Sequence, residues 1–342
     1  MNLGIDSYIF PTKASLGKKY LKRYNTIDIS QMPELPYESK VNWIVAASLH
    51  NIKCIRNCVK YCAKHNIGLF RVPNNIIPGF FNRWTNWWFK DDQQVLDSLE
   101  SLGKYARSKK IRLTFHAPMT VVLNSVNPKV VQNSVFTLEA ITKVYRWMGY
   151  EVDSFHPFGS TICVHVGGSS GGIDLFKANL NLLSSQCLNL VAVENDDKIY
   201  TVQNLVNAEL GIPIIMDLHH QWIKTGKYVL PKSSLAQQVY FSWKNVIPVI
   251  HVSMPRKQFT KWAFGDMSIT KTKTITYIDK LPNLDLLLSK VPLNKLRPHS
   301  KTIYAKCFKT YIKKWLDYSD VMIEAQYCSI ASIKLRRWID AK

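Results

Sequence analysis

The sequence predicts an α/β fold of the (β/α)8 TIM barrel type, in one domain that spans residues 1–342. Two observations support this prediction. Short apolar stretches rich in β-branched residues recur eight times, and segments of helical length separate most of them. Near-continuous apolar strands that alternate with helices indicate a parallel sheet, and eight such units are typical of a closed barrel. The hydrophobic content of 46% is sufficient for a sizeable core.

The elements follow one another in a regular order. The eight candidate strands lie at 3–9, 67–72, 111–116, 161–166, 190–195, 212–217, 246–252 and 320–325. Helices are predicted at 93–108, 128–147, 174–186 and 201–209. The second of these is expected to begin at Asn127-Pro128, because proline is favoured in the first helical turn. Two long connections, 10–54 and 255–319, are interpreted as elaborations of one barrel, and the second is a basic insertion between strands 7 and 8.

The charge balance favours a polyanionic partner. The chain carries 45 Lys and Arg against 24 Asp and Glu, a formal net charge of +21. Nucleic acid is favoured over a membrane surface, although charge alone does not exclude a soluble protein with a high pI. The basic insertion is interpreted as a DNA-facing lobe or as a solvated insertion. With no apolar run long enough to span a membrane and no signal pattern, we expect a soluble, cytoplasmic protein. We also expect it to be a monomer.

The cysteines indicate reduced thiols. Their odd number, seven, gives no framework of disulfides. Cys54, Cys58 and Cys62 repeat every four residues, which places them along one face of a helix. A packed face is favoured over a cluster site, because cysteine is among the most buried residue types.

Histidines and carboxylates lie at the carboxyl ends of six predicted strands, which is the catalytic face of a barrel. They are His116, His165, Glu194, Asp217, His220, His251 and Glu324. One such residue is usually a hydrogen-bonded core residue, but six coincidences favour a shared site. Mixed nitrogen and oxygen ligands suit Mn²⁺, Zn²⁺ or Fe²⁺, and seven ligands are enough for two or three ions. Such ions would polarise a phosphodiester and generate a hydroxide nucleophile. The other histidines, His219 and His299 among them, are expected to be structural or surface residues.

Several motifs in one order resemble the UV-damage endonuclease family. They are GLFRVPNNIIP (68–78), TFHAPMTVVLNS (114–125), VHVGG (164–168), VENDD (193–197), MDLHHQ (216–221), IHVS (250–253) and DVMIEA (320–325). The resemblance implies a TIM barrel related to endonuclease IV and a manganese-type site of two or three ions, with Zn²⁺ or Mg²⁺ as alternatives. It implies that the seven residues above are ligands and that damaged double-stranded DNA is cut 5′ to UV photoproducts or other lesions. Asp266 matches an acidic position of the family, and both Asp266 and Gln326 are expected beside the metal ligands.

The chain departs from the family pattern at four places. Met119-Thr120 replaces a Gln-Tyr pair that probes the lesion, and Val249 replaces a lysine thought to be modified into a metal bridge. Phe264 replaces a histidine, and Gln326 replaces a lysine. These four departures indicate that the site holds fewer metal ions than is usual in the family or that the substrate range differs.

The segment FFNRWTNWWF (80–89) follows the second strand and mixes aromatic and basic residues. Such a loop can stack on bases, or it can simply be packed by its own aromatic rings. The candidate DNA contacts are Asn75, Arg83, Trp87, Trp88, Met119 and Thr120. Two rival functions remain open at this point, a sugar isomerase or epimerase of the same barrel class and an inactive protein that binds damaged DNA.

Overall fold

The computed structural model describes residues 1–7, 36–86, 89, 91–256, 281 and 284–341. Eight parallel strands form a closed barrel in the order β1 to β8. The strands are β1 (Leu3–Asp6), β2 (Leu69–Val72), β3 (Arg112–His116), β4 (Thr161–His165), β5 (Val191–Glu194), β6 (Ile214–Asp217), β7 (Val249–Val252) and β8 (Asp320–Ile323). The prediction of a (β/α)8 barrel is confirmed.

Helices follow or precede the strands as the alternating pattern predicts. In chain order they are α1 (Tyr37–Lys64), α2 (Gln93–Ser108), α3 (Pro128–Trp147), α4 (Gly172–Leu180), α5 (Ser185–Leu188), α6 (Val202–Ala208), α7 (Leu218–Thr225), α8 (Ser234–Ser242), α9 (Leu284–Leu288), α10 (Leu293–Leu296), α11 (Lys306–Trp315) and α12 (Cys328–Asp340). The prediction of one helix at 174–186 is wrong. The Ser184 side chain accepts a hydrogen bond from the Cys187 backbone N–H at 3.1 Å, so a new helix begins there.

One compact unit comprises residues 1–12, 66–69 and 193–342. Within it, β1 pairs with β8, β8 with β7, β7 with β6, and β6 with the end of β5, all in parallel. Asp217 lies opposite His251 in the register of β6 and β7. The carboxyl ends of neighbouring strands therefore lie at similar heights in this unit.

The second compact unit comprises residues 13–65 and 70–192. Its strands β3 and β4 are parallel, with His116 opposite Cys163. Helix α1 buries Cys54, Cys58 and Cys62, as expected for a packed helix face. These thiols are therefore core residues of this unit.

The described part of the 255–319 segment contains three helices, α9, α10 and α11. Leu287 of α9 and Leu296 of α10 are buried in one cluster with Trp222 and Ile223 of α7. Helix α11 ends a few residues before β8, so it occupies the place of an ordinary barrel helix. No helix in the described ranges is long and apolar enough to cross a membrane.

Candidate metal centre

Four strand ends in the first unit bring three carboxylates and one imidazole together. Glu194 ends β5, Asp217 ends β6, His251 lies on β7 and Glu324 directly follows β8. Each of the four offers one ligand atom within 4.8 Å of the others. All four are buried, with at most 9% of their surface exposed. Four of the residues predicted from the sequence therefore form one cluster.

His251 links two carboxylates of this cluster. Its Nδ1 lies 2.8 Å from Glu194 Oε1 and 3.3 Å from Glu324 Oε1. An ionised carboxylate only accepts hydrogen bonds, so the Nδ1–H of His251 is the donor to Glu194. The imidazole orientation is therefore set by the two acids.

His220 lies in the first turn of α7, beside the cluster. Its backbone N–H donates to Asp217 Oδ1 at 2.6 Å, so Asp217 caps α7. Its Nδ1 lies 3.0 Å from the backbone carbonyl of Asn195 and 3.8 Å from Glu194 Oε1. Because the carbonyl can only accept, Nδ1 carries a proton, so Nε2 is the nitrogen that can offer a lone pair to a metal once its own proton has left. This is the tautomer that metal-ligating histidines commonly adopt.

Sequence analysis did not single out Asn195, a buried amide that connects two of the strands. Its Nδ2 donates to the Asp217 carbonyl at 3.1 Å, and its Oδ1 accepts from the Asp217 backbone N–H at 2.8 Å. Asn195 thus holds the backbone of Asp217, while its own carbonyl orients His220. The available signal was its position directly after Glu194 in VENDD.

The electrostatics of the cluster favour a bound cation. Burial raises the pKa of Asp217, and the nearby Glu324 and Glu194 raise it further against the opposing His220 and His251. Burial lowers the pKa of His220, but Asp217, Glu194 and Glu324 outweigh this effect and raise it to about 9.

Asp217 Oδ2 is buried and has no hydrogen-bond partner among the residues that the structure describes. His220 Nδ1 lies 3.9 Å from this oxygen, beyond hydrogen-bond distance, and one imidazolium cannot balance three ionised carboxylates. A further cation would lower the cost of burying them. The donor set of carboxylate oxygens and imidazole nitrogens therefore fits a divalent metal.

The second unit holds the other two predicted ligands. His116 ends β3 and His165 ends β4, and their ring centroids are 5.2 Å apart. His116 Nδ1 lies 2.9 Å from the carbonyl of Ala117, so this nitrogen is again the donor and Nε2 has the lone pair. The two imidazoles thus form a pair, and in at least one of them, His116, Nε2 is the nitrogen available to a metal.

The candidate DNA contacts divide into exposed and packed residues. Met119 is 77% exposed, and Arg83 and Thr120 line a groove of about 390 Å³ in the second unit. The same groove includes Trp84, which is 72% exposed and which sequence analysis did not select. Asn75 is half-buried, and its carbonyl accepts from the Asn51 side chain at 2.6 Å.

The aromatic segment is only partly packed by its own rings. Phe80 contacts Phe81 and Phe89 with ring centroids 6.1 and 5.4 Å apart, and all three are buried. Trp84 is exposed, whereas Trp87 and Trp88 lie outside the described residues. Phe80 and Phe89 also contact Trp147 of α3, at 5.2 and 5.6 Å between ring centroids, so the phenylalanines pack on the barrel as well as on one another and Trp84 is left at the surface.

The residues that depart from the family pattern lie in different environments. Val249 is buried and apolar on β7, so it offers no ligand atom. Gln326 is exposed, and its backbone N–H donates to the Ser300 carbonyl at 2.9 Å. Phe264 and Asp266 lie outside the described residues.

His219 is a structural residue, as expected. It is buried, its Nε2 lies 3.0 Å from the Arg297 carbonyl, and its ring stacks on Trp222. Burial lowers its pKa to about 3, with a smaller contribution from His299.

Comparison with known proteins agrees with these features. The family model described as UV-endonuclease UvdE matches residues 14–339. A UV DNA damage endonuclease of Halalkalibacterium halodurans is 29% identical over 225 residues, which cover 63% of this chain and 66% of that protein. A UV DNA damage endonuclease of a Nostoc species is 22% identical over 267 residues, which cover 77% of this chain and 78% of that protein. The crystal structure of SacUVDE aligns with a TM-score of 0.74 and 25% identity, covering 100% of this chain and 98% of that chain.

Proposed function

Because the chain belongs to the UV-endonuclease UvdE family, we propose that it is a metal-dependent DNA repair endonuclease. Its substrate is damaged double-stranded DNA, and it cuts the backbone 5′ to UV photoproducts or other distorting lesions. The observation that carries this proposal is the buried cluster of Glu194, Asp217, His251 and Glu324, in which Asp217 Oδ2 has no hydrogen-bond partner within the described part of the chain. We also propose that the protein acts in the cytoplasm as a monomer.

The proposed ligands are the seven residues at the strand ends, four of them in this cluster. They are His116, His165, Glu194, Asp217, His220, His251 and Glu324. The proposed metal is Mn²⁺ in two or three ions, with Zn²⁺ or Mg²⁺ as alternatives. Bound divalent ions would supply Lewis-acid polarisation of the phosphodiester and a lowered pKa of water near the scissile bond.

The chain's own residues prepare the site. Glu194 and Glu324 keep the His251 proton on Nδ1, and the Asn195 carbonyl keeps the His220 proton on Nδ1. Side chains held in this way need little reorganisation when substrate binds, and reduced reorganisation is a main source of electrostatic catalysis. Asn195 is a positioning residue, because it acts through the backbone of Asp217.

The surface charge supports DNA as the substrate. A formal net charge of +21 attracts phosphates without regard to sequence. The proposed DNA contacts are Asn75, Arg83, Met119, Thr120, Trp87 and Trp88, to which the exposed Trp84 is added. An exposed indole beside a groove can stack on a base that has left the duplex.

The test is nicking of a labelled duplex that carries one cyclobutane dimer, with Mn²⁺ present. Undamaged and abasic duplexes are run beside it, and Glu194→Gln is the control. We expect incision 5′ to the dimer in the wild type and none in the control. Cutting of the abasic duplex alone would change the proposed substrate. Metal-loaded protein that binds the dimer duplex without cutting it would instead favour an inactive binding protein, a possibility that the apolar Val249 keeps open.

A further inference from the structure

Cys163 lies beside the histidine pair of the second unit. It is on β4, two residues before His165, so its side chain projects from the same face of the strand as His165. It is also the register partner of His116 on β3. Cys163 is 2% exposed, and its Sγ lies within 4.8 Å of a ligand atom of His116. One thiol and two imidazoles thus share one face of two neighbouring strands.

We propose that Cys163 is a metal ligand that acts with His116 and His165. This inference rests on the proposed metal dependence and adds a sulfur ligand to it. Thiolate is a soft ligand, so the site should favour Zn²⁺ or Co²⁺ over Mn²⁺ more strongly than oxygen and nitrogen ligands alone would. The thiol proton leaves to solvent when the metal–sulfur bond forms, because the thiolate is the ligand.

The geometry permits this arrangement. Ligand atoms on one tetrahedral zinc ion lie roughly 3.5 Å apart, given Zn–S near 2.3 Å and Zn–N near 2.1 Å. The separation of at most 4.8 Å between the Cys163 and His116 atoms can shorten to this value by small side-chain rotations. Burial alone would be unremarkable for cysteine, since Cys54, Cys58 and Cys62 are also buried. Cys163 is distinguished by the two imidazoles beside it.

The experiment is the optical spectrum of the full-length protein titrated with Co²⁺, since thiolate-to-cobalt charge transfer absorbs in the near ultraviolet. We expect this band in the wild type, its loss in Cys163→Ala and Cys163→Ser, and its retention in the control Cys62→Ala. Zn²⁺ affinity should fall roughly 10- to 100-fold in the Cys163 variants while Mn²⁺ affinity changes only a few-fold.

Wild-type protein that binds Co²⁺ without the band, or that binds no Co²⁺, would overturn the proposal whether or not the variants fold. A band that persists in a folded Cys163 variant would do the same. Nicking by the wild-type protein is measured separately. A band without nicking would refute the nuclease and leave the thiolate ligand, whereas nicking without a band would refute the ligand alone.

Discussion

Replacing Asp217 with Asn is expected to stabilise the metal-free protein and to weaken its metal binding. Asp217 is fully buried among Glu194 and Glu324, and burial raises its pKa above the ordinary value of 3.8. Asparagine has the same shape and retains an oxygen that can accept the 2.6 Å hydrogen bond from His220 N. The substitution therefore removes charge and preserves the helix cap.

The expected gain is on the order of 1–4 kcal/mol at pH 7, the range found in favourable cases when a buried ion pair is replaced by uncharged residues. The imidazoles keep a carboxylate partner in the variant, because His220 still faces Glu194 at 3.8 Å and His251 still faces Glu324 at 3.3 Å. Since the folded-state pKa of Asp217 is raised, its unfavourable contribution is absent below about pH 3.8 and grows as pH rises through the folded-state value. The gain should therefore be small near pH 4 and larger at pH 7. Metal at one hundred times its Kd stabilises the wild type by about 2.7 kcal/mol, which offsets or reverses the difference.

The assay is urea unfolding of both proteins in EDTA and in excess Mn²⁺, at pH 4.5 and pH 7. Asp217→Ala is the matched control, because it removes the charge and the cap together and should be about 1 kcal/mol less stable than the Asn variant. Metal-free Asp217→Asn protein that is less stable than the wild type at pH 7 would refute the argument. Equal stabilisation of both by Mn²⁺ would show that Asp217 is not a ligand.

Three further predictions concern single residues. The pKa of His220 is about 9 in the metal-free protein, so metal binding at pH 7 should release the proton that this residue holds. The binding enthalpy measured by calorimetry should therefore depend on the ionisation enthalpy of the buffer. An equal buffer dependence in the His220→Gln variant would contradict this prediction. Asn195→Ala should lose about 1–3 kcal/mol of stability and roughly 10- to 100-fold in metal affinity, and unchanged affinity in a folded variant would reject its positioning role. Trp84→Ala should weaken binding to a dimer-containing duplex about 5- to 150-fold by anisotropy, whereas Phe241→Ala, a change at another exposed ring (88%), should not; equal effects would exclude specific stacking.

The barrel could be predicted because buried parallel strands leave a simple pattern in the sequence. Each strand is a short apolar run, and polar residues at the ends of such runs are conspicuous; Glu194 and Asp217 were found in this way. Helix α3 was predicted with its observed bounds, because Asn127 and Pro128 mark its start. These features depend on local sequence.

The parts that could not be predicted depend on contacts between distant residues. Asn195 resembles any polar residue in a loop, and its role follows only from hydrogen bonds to Asp217, 22 positions away. Within the 80–89 segment, composition does not indicate which rings the core covers. In the structure Trp84 is exposed, whereas Phe80 and Phe89 are buried.

The pairing of β1 with β8 has a consequence for folding during synthesis. The Asn2 N–H donates to Asp320 Oδ1 at 2.8 Å, across a sequence separation of 318 residues. At about 5–20 residues per second, a ribosome needs roughly 15–60 s to supply that partner. During this time Leu3 and Ile5 of β1 lack their partner strand β8, and Glu324 is synthesised directly after that strand. The acidic cluster is therefore among the last parts of the molecule to be completed, and a nascent chain stalled before β8 has a barrel edge that can pair with other chains.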